Sequence, residues 1–119
     1  MSLTMVLVVG VLTGVGTYLV TSRVLSRIVL GFALLGHAAV LALTTAAGPA
    51  GDPPLADRSS PSDTSNPLPQ ALSLTAIVIS FGLTLFLLAL ARRQHQLSGD
   101  DLVEDDLEDR RIAQDEHDR

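Results

Sequence analysis

The sequence contains no cysteine and no tryptophan, and aromatic residues make up only 3% of its 119 positions. Without cysteine the chain forms no disulfide, carries no catalytic thiol and offers no thiolate to a metal. Charged side chains are also absent from three long stretches, residues 1–22, 28–51 and 66–91. A soluble domain with 47% hydrophobic residues would carry charges throughout, so this separation of apolar and charged segments excludes an ordinary soluble fold.

Each charge-free stretch is long enough to cross a membrane, because about 20 helical residues span a hydrocarbon core of roughly 30 Å. The sequence therefore predicts an all-α membrane protein with three transmembrane helices, at residues 3–20, 28–47 and 67–91. Residues 1–91 form the predicted membrane domain. The first helix is predicted to be retained rather than cleaved as a signal peptide, since nothing basic precedes Leu3 and the apolar run is long.

The arginines predict the orientation of these helices, because basic residues that flank membrane spans stay in the cytoplasm. Arg23 and Arg27 follow the first span, and Arg92 and Arg93 follow the third. The connection between the second and third spans has a single arginine, Arg58. The N-terminus is therefore predicted to lie outside the cell and the C-terminus in the cytoplasm.

Two segments lie outside the predicted spans. Residues 48–66 contain four prolines and three aspartates, too little apolar surface to offset chain entropy, and are predicted to form an irregular external loop. Residues 92–119 form an acidic cytoplasmic tail, in which ten acidic residues and three arginines from Ser98 onward give a net charge of −7. The tail is predicted to be largely solvated. Docking onto a basic surface of a partner is the alternative.

Small residues on the predicted helices indicate where they pack. Lipid tails are as apolar as leucine, so membrane helices associate through close packing and hydrogen bonds rather than through hydrophobic burial. All three spans carry small faces, which predicts packing within the chain and against other membrane proteins. The candidate packing residues are Gly10, Gly14, Gly31, Ala38, Thr75 and Gly82.

The third span also carries a separate polar stripe, formed by Gln70, Ser73, Ser80 and Thr84. Its side chains can donate and accept hydrogen bonds but carry no charge. The stripe is predicted to hydrogen-bond a partner at a subunit interface.

His37 is the only ionisable residue inside the three spans apart from Tyr18. An ionisable group in a bilayer is costly and indicates a function by default. One interpretation places His37, with Thr44 on the same side of the helix, in a proton or ion path at a subunit interface. In the other, a neutral imidazole hydrogen-bonds a neighbouring helix, since desolvation favours the uncharged form.

The spans contain no carboxylate and no lysine, the groups that ion-coupled transport usually requires, so the chain is not predicted to move ions by itself. The sequence also has no nucleophile–base–acid set and no glycine-rich phosphate loop. Its three histidines, His37, His95 and His117, are too scattered to form one metal site. The predicted protein is not an enzyme, needs no metal or cofactor, and has no nucleic-acid partner.

The segment NPLPQALSLTAIVIS, at residues 66–80, resembles the third-helix signature of the C subunit of multisubunit Na+/H+ antiporters, the Mrp or Mnh family. Arg23 and Arg27 in the first turn, IVLG at residues 28–31 and GHA at residues 36–38 add to this resemblance. Together they cover roughly residues 3–93.

The resemblance implies a small multi-pass subunit of a proton-driven sodium exporter in the cell (inner) membrane, contributing to pH homeostasis. Its partners would be other subunits, including large antiporter-like subunits that hold the residues moving Na+ and H+. The family is also similar to the K subunit of respiratory complex I, whose second and third helices carry proton-translocating glutamates. Neither glutamate is present here, which disfavours a complex I-type role. A membrane anchor that recruits a cytoplasmic partner through its tail is the other alternative.

Overall fold

The computed structural model describes residues 2–49, 51, 66–103 and 107–117. Most of the predicted external loop therefore lies outside the described residues. The helices are, in chain order, α1 (Leu3–Val20), α2 (Leu25–Ala46), α3 (Pro67–Ser98) and α4 (Leu107–His117). The first three are long and apolar enough to cross a membrane, which confirms the predicted all-helical, three-span fold.

Helix α2 is the centre of the bundle. Within the described chain, α1 and α3 each pack against α2 and make no contact with each other. The α1–α2 crossing is closest at Gly16 and Gly31, which are both buried. A Cβ atom on Gly31 would lie 2.7 Å from the Gly16 carbonyl oxygen and 2.8 Å from the Val20 nitrogen. Because both neighbours are backbone atoms, only glycine fits at this crossing.

Helix α3 begins as the sequence predicts and ends later than the predicted span. The side-chain oxygen of Asn66 accepts a hydrogen bond from the Leu68 N–H at 3.1 Å and so caps the helix. At the other end the helix continues through the arginines to Ser98 and stops at Gly99, whose φ of 79° is left-handed. The charged residues end the apolar run, but they are good helix formers, so the backbone hydrogen bonding continues past it.

Helix α2 also differs from its predicted bounds, because it begins at Leu25 rather than at residue 28. The prediction placed the start after the last arginine of the turn, where the charge-free run begins. The backbone instead turns helical ahead of Arg27, so the first turn of α2 includes a charged residue.

Little of the spanning surface is buried within this single chain. In an apolar 18-residue window of each helix, the share of residues that are buried is 6% in α1, 17% in α2 and 6% in α3. The exposed surface is rich in leucine, valine, isoleucine and phenylalanine. Such a surface suits lipid or neighbouring proteins and would be insoluble in water.

Candidate functional site

The imidazole of His37 lies midway along α2 and is hydrogen-bonded to the backbone of the same helix. Its Nδ1 atom lies 2.6 Å from the carbonyl oxygen of Ala33. A carbonyl oxygen only accepts, so Nδ1 carries the proton and donates this hydrogen bond. In the neutral ring the other nitrogen, Nε2, is then an acceptor. His37 is exposed in this chain, so Nε2 is available to a donor from outside it.

A groove of about 410 Å³ runs between α2 and α3 and contains His37. The two helices approach closely beside it, since a Cβ atom on Gly36 would lie 3.4 Å from the Ser80 hydroxyl oxygen. The groove is mainly apolar, and its polar groups are one imidazole and two hydroxyls. Its lining consists of Ala33, Gly36, His37, Val40, Leu41, Ile77, Ser80, Phe81 and Thr84.

Thr44, near the end of α2, and Ser73, near the start of α3, form a hydrogen-bonded contact between the two helices. Their hydroxyl oxygens are 3.3 Å apart, and Ser73 is only 7% exposed. The Thr44 hydroxyl donates its single proton to the Val40 carbonyl at 2.8 Å. Ser73 must therefore be the donor in the bond between the two hydroxyls.

The structure thus divides the predicted polar stripe. Ser73 is engaged with Thr44 in the same chain, and Ser80 and Thr84 line the groove with His37. Gln70 lies on the exposed surface of α3. The interface role of all four stays a prediction, as do the ion-path roles of His37 and Thr44.

The predicted packing residues fall into two groups. Gly31 and Ala38 are buried within the chain. The others point away from it: a Cβ atom on Gly10, Gly14 or Gly82 would meet nothing within 4 Å, and Thr75 is exposed. Their packing against other membrane proteins stays a prediction.

Sequence reasoning missed Gly16 and Gly36, the glycines through which α2 meets its two neighbours. Helix α1 carries glycines at positions 10, 14 and 16, and the spacing favoured the first two, which are four residues apart. No local feature marks Gly16 as the contact residue, because the choice depends on which side of α1 faces α2.

Among the described residues, no group of three or more histidine or acidic side chains could hold a metal ion. The groove offers hydrogen bonds rather than charge. An imidazole and two hydroxyls can donate and accept hydrogen bonds with a neighbouring helix.

Three long apolar helices define the class of small multi-pass membrane proteins. The family model of NADH-ubiquinone/plastoquinone oxidoreductase chain 4L matches residues 4–109, nearly the whole chain. The chain is 52% identical over 97 residues to the Na+/H+ antiporter C subunit of Alkalihalophilus pseudofirmus, covering 81% of this chain and 86% of that protein. It is 47% identical over 105 residues to the Na+/H+ antiporter C1 subunit of Staphylococcus aureus, covering 87% and 92%.

Two solved structures are similar to this chain over most of its length. A chain of the Mrp complex from Dietzia sp. DQ12-45-1b superposes with a TM-score of 0.76 at 42% identity, covering 89% of this chain and 81% of that one. A chain of an archaeal membrane-bound sulfane sulfur reductase gives 0.75 at 28% identity, covering 89% and 98%. The chain belongs to the C-subunit family of Na+/H+ antiporters, within the broader chain 4L family, which confirms the predicted family. This membership indicates a transporter component rather than a catalyst.

Proposed function

We propose that this chain is the C-type subunit of a multisubunit, proton-driven Na+/H+ antiporter in the cell membrane, with a mainly structural role. The observation that carries the proposal is the 52% identity, over most of both chains, to a protein named as the C subunit of a Na+/H+ antiporter. The likeness to a chain of an Mrp complex supports assembly with other subunits, including large antiporter-like ones.

The charge distribution supports a division of labour within that complex. The three spans hold no aspartate, glutamate, lysine or arginine over residues 1–22, 28–51 and 66–91. Moving Na+ against H+ requires groups that bind each ion in turn, and these must come from other subunits. This chain would therefore shape and support the ion path, without an enzymatic activity of its own.

The groove around His37 is the proposed docking face for a helix of one of these subunits. It is mainly apolar and partly open, and its lining extends over residues 33–41 of α2 and 77–84 of α3. An apolar groove of this kind suits the apolar face of a helix. Nε2 of His37 presents an acceptor, so the incoming helix would place a hydrogen-bond donor opposite it. Ser80 and Thr84 would add hydroxyls to the same contact.

A proton path that includes His37 and Thr44 is the second candidate role. The two residues are seven positions apart on α2, about 10 Å along the axis. A chain of donors and acceptors through the groove would need a water or a partner group between them.

The orientation remains part of the proposal. The turn after α1 and the segment after α3 are hydrogen-bonded to each other, since the Val103 N–H donates to the Arg23 carbonyl at 2.9 Å. Both therefore lie at one end of the bundle, as three crossings require. With the arginines that flank them, this end is proposed to be cytoplasmic, with residues 92–119 as its tail.

Purification of the tagged chain from its native membranes tests the proposed function. We expect it to bring down several large multi-spanning proteins, and the reconstituted complex to move protons in response to Na+. Recovery of the chain alone, or as an oligomer of itself, would instead support the membrane-anchor alternative. Proton translocation driven by electron transfer, without Na+ exchange, would support the complex I-type alternative.

Replacement of His37 by alanine distinguishes its two roles. If the imidazole only accepts a hydrogen bond, His37→Ala should lower the yield of assembled complex about three-fold, the equivalent of about 0.6 kcal/mol for one interhelical hydrogen bond. His37→Gln, whose amide oxygen also accepts, should restore it. Antiport per assembled complex should keep its pH profile in both variants.

A shifted pH profile in both variants, with assembly intact, would contradict this expectation and place His37 in the proton path. Leu43→Ala is the matched control, because Leu43 lies on the same helix, is exposed and is not part of the groove lining.

A further inference from the structure

The chain reverses direction directly after α3 and returns to the start of α2. Gly99 ends α3 in a left-handed conformation, with its N–H bonded to the His95 carbonyl at 2.9 Å. The Asp100 side chain then accepts from the Leu102 N–H at 3.3 Å, which closes a tight turn. This geometry directs residues 100–103, here named the tail clasp, toward the turn between α1 and α2.

The tail clasp pairs with that turn as a short antiparallel bridge. Val24 and Leu102 lie opposite each other. On one side of the pair the Val103 N–H donates to the Arg23 carbonyl at 2.9 Å. On the other side the Asp101 carbonyl accepts from the residue after Val24. These bonds flank the pair, so Val24 and Leu102 are a non-hydrogen-bonded pair with closely spaced Cα atoms.

Asp101 supplies the hydrogen-bond acceptors that the N-cap residue of α2 lacks. The N-cap residue of α2 is Val24, whose side chain has no hydrogen-bonding atom. The Leu25 N–H donates to the Asp101 carbonyl at 2.8 Å, and the Ser26 N–H donates to the Asp101 carboxylate at 3.4 Å. The Ser26 hydroxyl donates to the same carboxylate. An aspartate 75 residues away from Ser26 therefore acts as a local cap would.

The clasp also joins α2 to α3. Val103 lines a groove of about 570 Å³ at this end of the bundle, together with residues from the first turns of α2 and the last turns of α3. Val29 of α2 and Ala91 of α3, which are 5% and 9% exposed, are part of the same lining.

We propose that Asp101 is a positioning residue, which caps α2 across the turn and fixes where α2 lies against α3. His37 lies 11 residues beyond Ser26, about 16 Å along one continuous helix. A displacement of the first turn of α2 would therefore also move the part of α2 that lines the groove around His37. The last step, from groove geometry to transport, rests on the proposed function, whereas the clasp itself does not.

A cysteine pair tests whether the clasp exists in the assembled complex. The chain has no native cysteine, so Val24→Cys with Leu102→Cys introduces one defined pair. The Cα spacing of a non-hydrogen-bonded pair, about 4.5 Å, falls within disulfide geometry. Mild oxidation should cross-link this pair. The control pair, Val24→Cys with Ala113→Cys on α4, should stay reduced. Absence of the 24–102 cross-link in an intact complex would overturn the proposal.

Substitutions of Asp101 test the positioning role. Asp101→Ala should lower both the cross-linking rate and antiport about five-fold, because an N-cap contributes about 1 kcal/mol. Asp101→Asn should stay within about two-fold of the parent, since asparagine caps as well as aspartate. The control Asp109→Ala removes the same charge from an exposed position on α4 and should change neither.

Two results would overturn this role. In one, Asp101→Ala leaves antiport unchanged; in the other, Asp101→Asn is as damaging as Asp101→Ala, which would assign the effect to charge. Failure of the parent complex to exchange Na+ for H+ would defeat the proposed function, and cross-linking would still decide the clasp.

Discussion

Gly31→Leu is expected to abolish assembly of the protein into its complex, and antiport with it. Even the Cβ atom of alanine at this position would lie 2.7 Å from the Gly16 carbonyl oxygen and 2.8 Å from Leu19 Cβ. Helix α1 would have to move away from α2 to accept it. Overpacking typically costs about 1–3 kcal/mol, so Gly31→Ala should already lower the yield of complex about five-fold or more. The measurement is complex yield on a native gel, with antiport in inverted vesicles.

Gly14→Ala is the matched control for this crossing. A Cβ atom on Gly14 meets nothing within 4 Å in this chain, and alanine favours the helix over glycine by about 1 kcal/mol. The α1–α2 pair should therefore be as stable as in the parent. An unchanged complex yield in Gly31→Ala would contradict the assigned crossing. A loss of complex in Gly14→Ala would instead support the predicted packing of Gly14 against a neighbouring protein of the complex.

Ala33→Phe is expected to block the proposed docking groove while leaving the three-helix bundle intact. Ala33 lines the groove beside His37, and a phenyl ring there would occupy space intended for an incoming helix. Complex yield should fall about ten-fold, since the overpacking cost of about 1–3 kcal/mol includes the roughly 1.4 kcal/mol that a factor of ten represents. The chain itself should still insert and accumulate, because the groove is open in the isolated protein.

Ala39→Phe provides the comparison, because Ala39 is exposed on the same helix and does not line the groove. Lipid accommodates an added aromatic ring, so its complex yield should stay within about two-fold of the parent. Equal losses in the two variants would show that the groove has no special role in assembly. Normal assembly of Ala33→Phe would likewise remove the groove as the docking face.

The three spans could be predicted because the bilayer imposes a length and an absence of charge that the sequence displays directly. The start of α3 could also be predicted from a few adjacent residues. Asn66, followed by two prolines in the first turn, is sufficient to specify a helix N-terminus. The family could be predicted from residues 66–80. Each of these features is set by residues close together in the sequence, so composition and spacing are enough to predict it.

The features that sequence reasoning missed depend on contacts between distant residues. From the sequence, Gly14 and Gly16 are equally good candidates for the contact between α1 and α2. Only the position of Gly31, which lies against Gly16, shows which side of α1 faces α2. The start of α2 was placed three residues late because the charge-free run begins only at residue 28, whereas the cap of the helix is Asp101, 75 residues beyond Ser26. The groove required α2 and α3 to be placed side by side before His37, Ser80 and Thr84 could be seen together.

The arrangement of α1 and α3 on separate sides of α2 has an evolutionary consequence. Their contacts are built from different residues, with Gly16 and Gly31 in one and Gly36 and Ser80 in the other. Gly31 and Gly36 are five positions apart on α2, about 7.5 Å along its axis, so substitutions in the two contacts are close enough to influence each other. Related chains that remodel the α2–α3 side for new neighbours must therefore keep α2 in a position that α1 still fits.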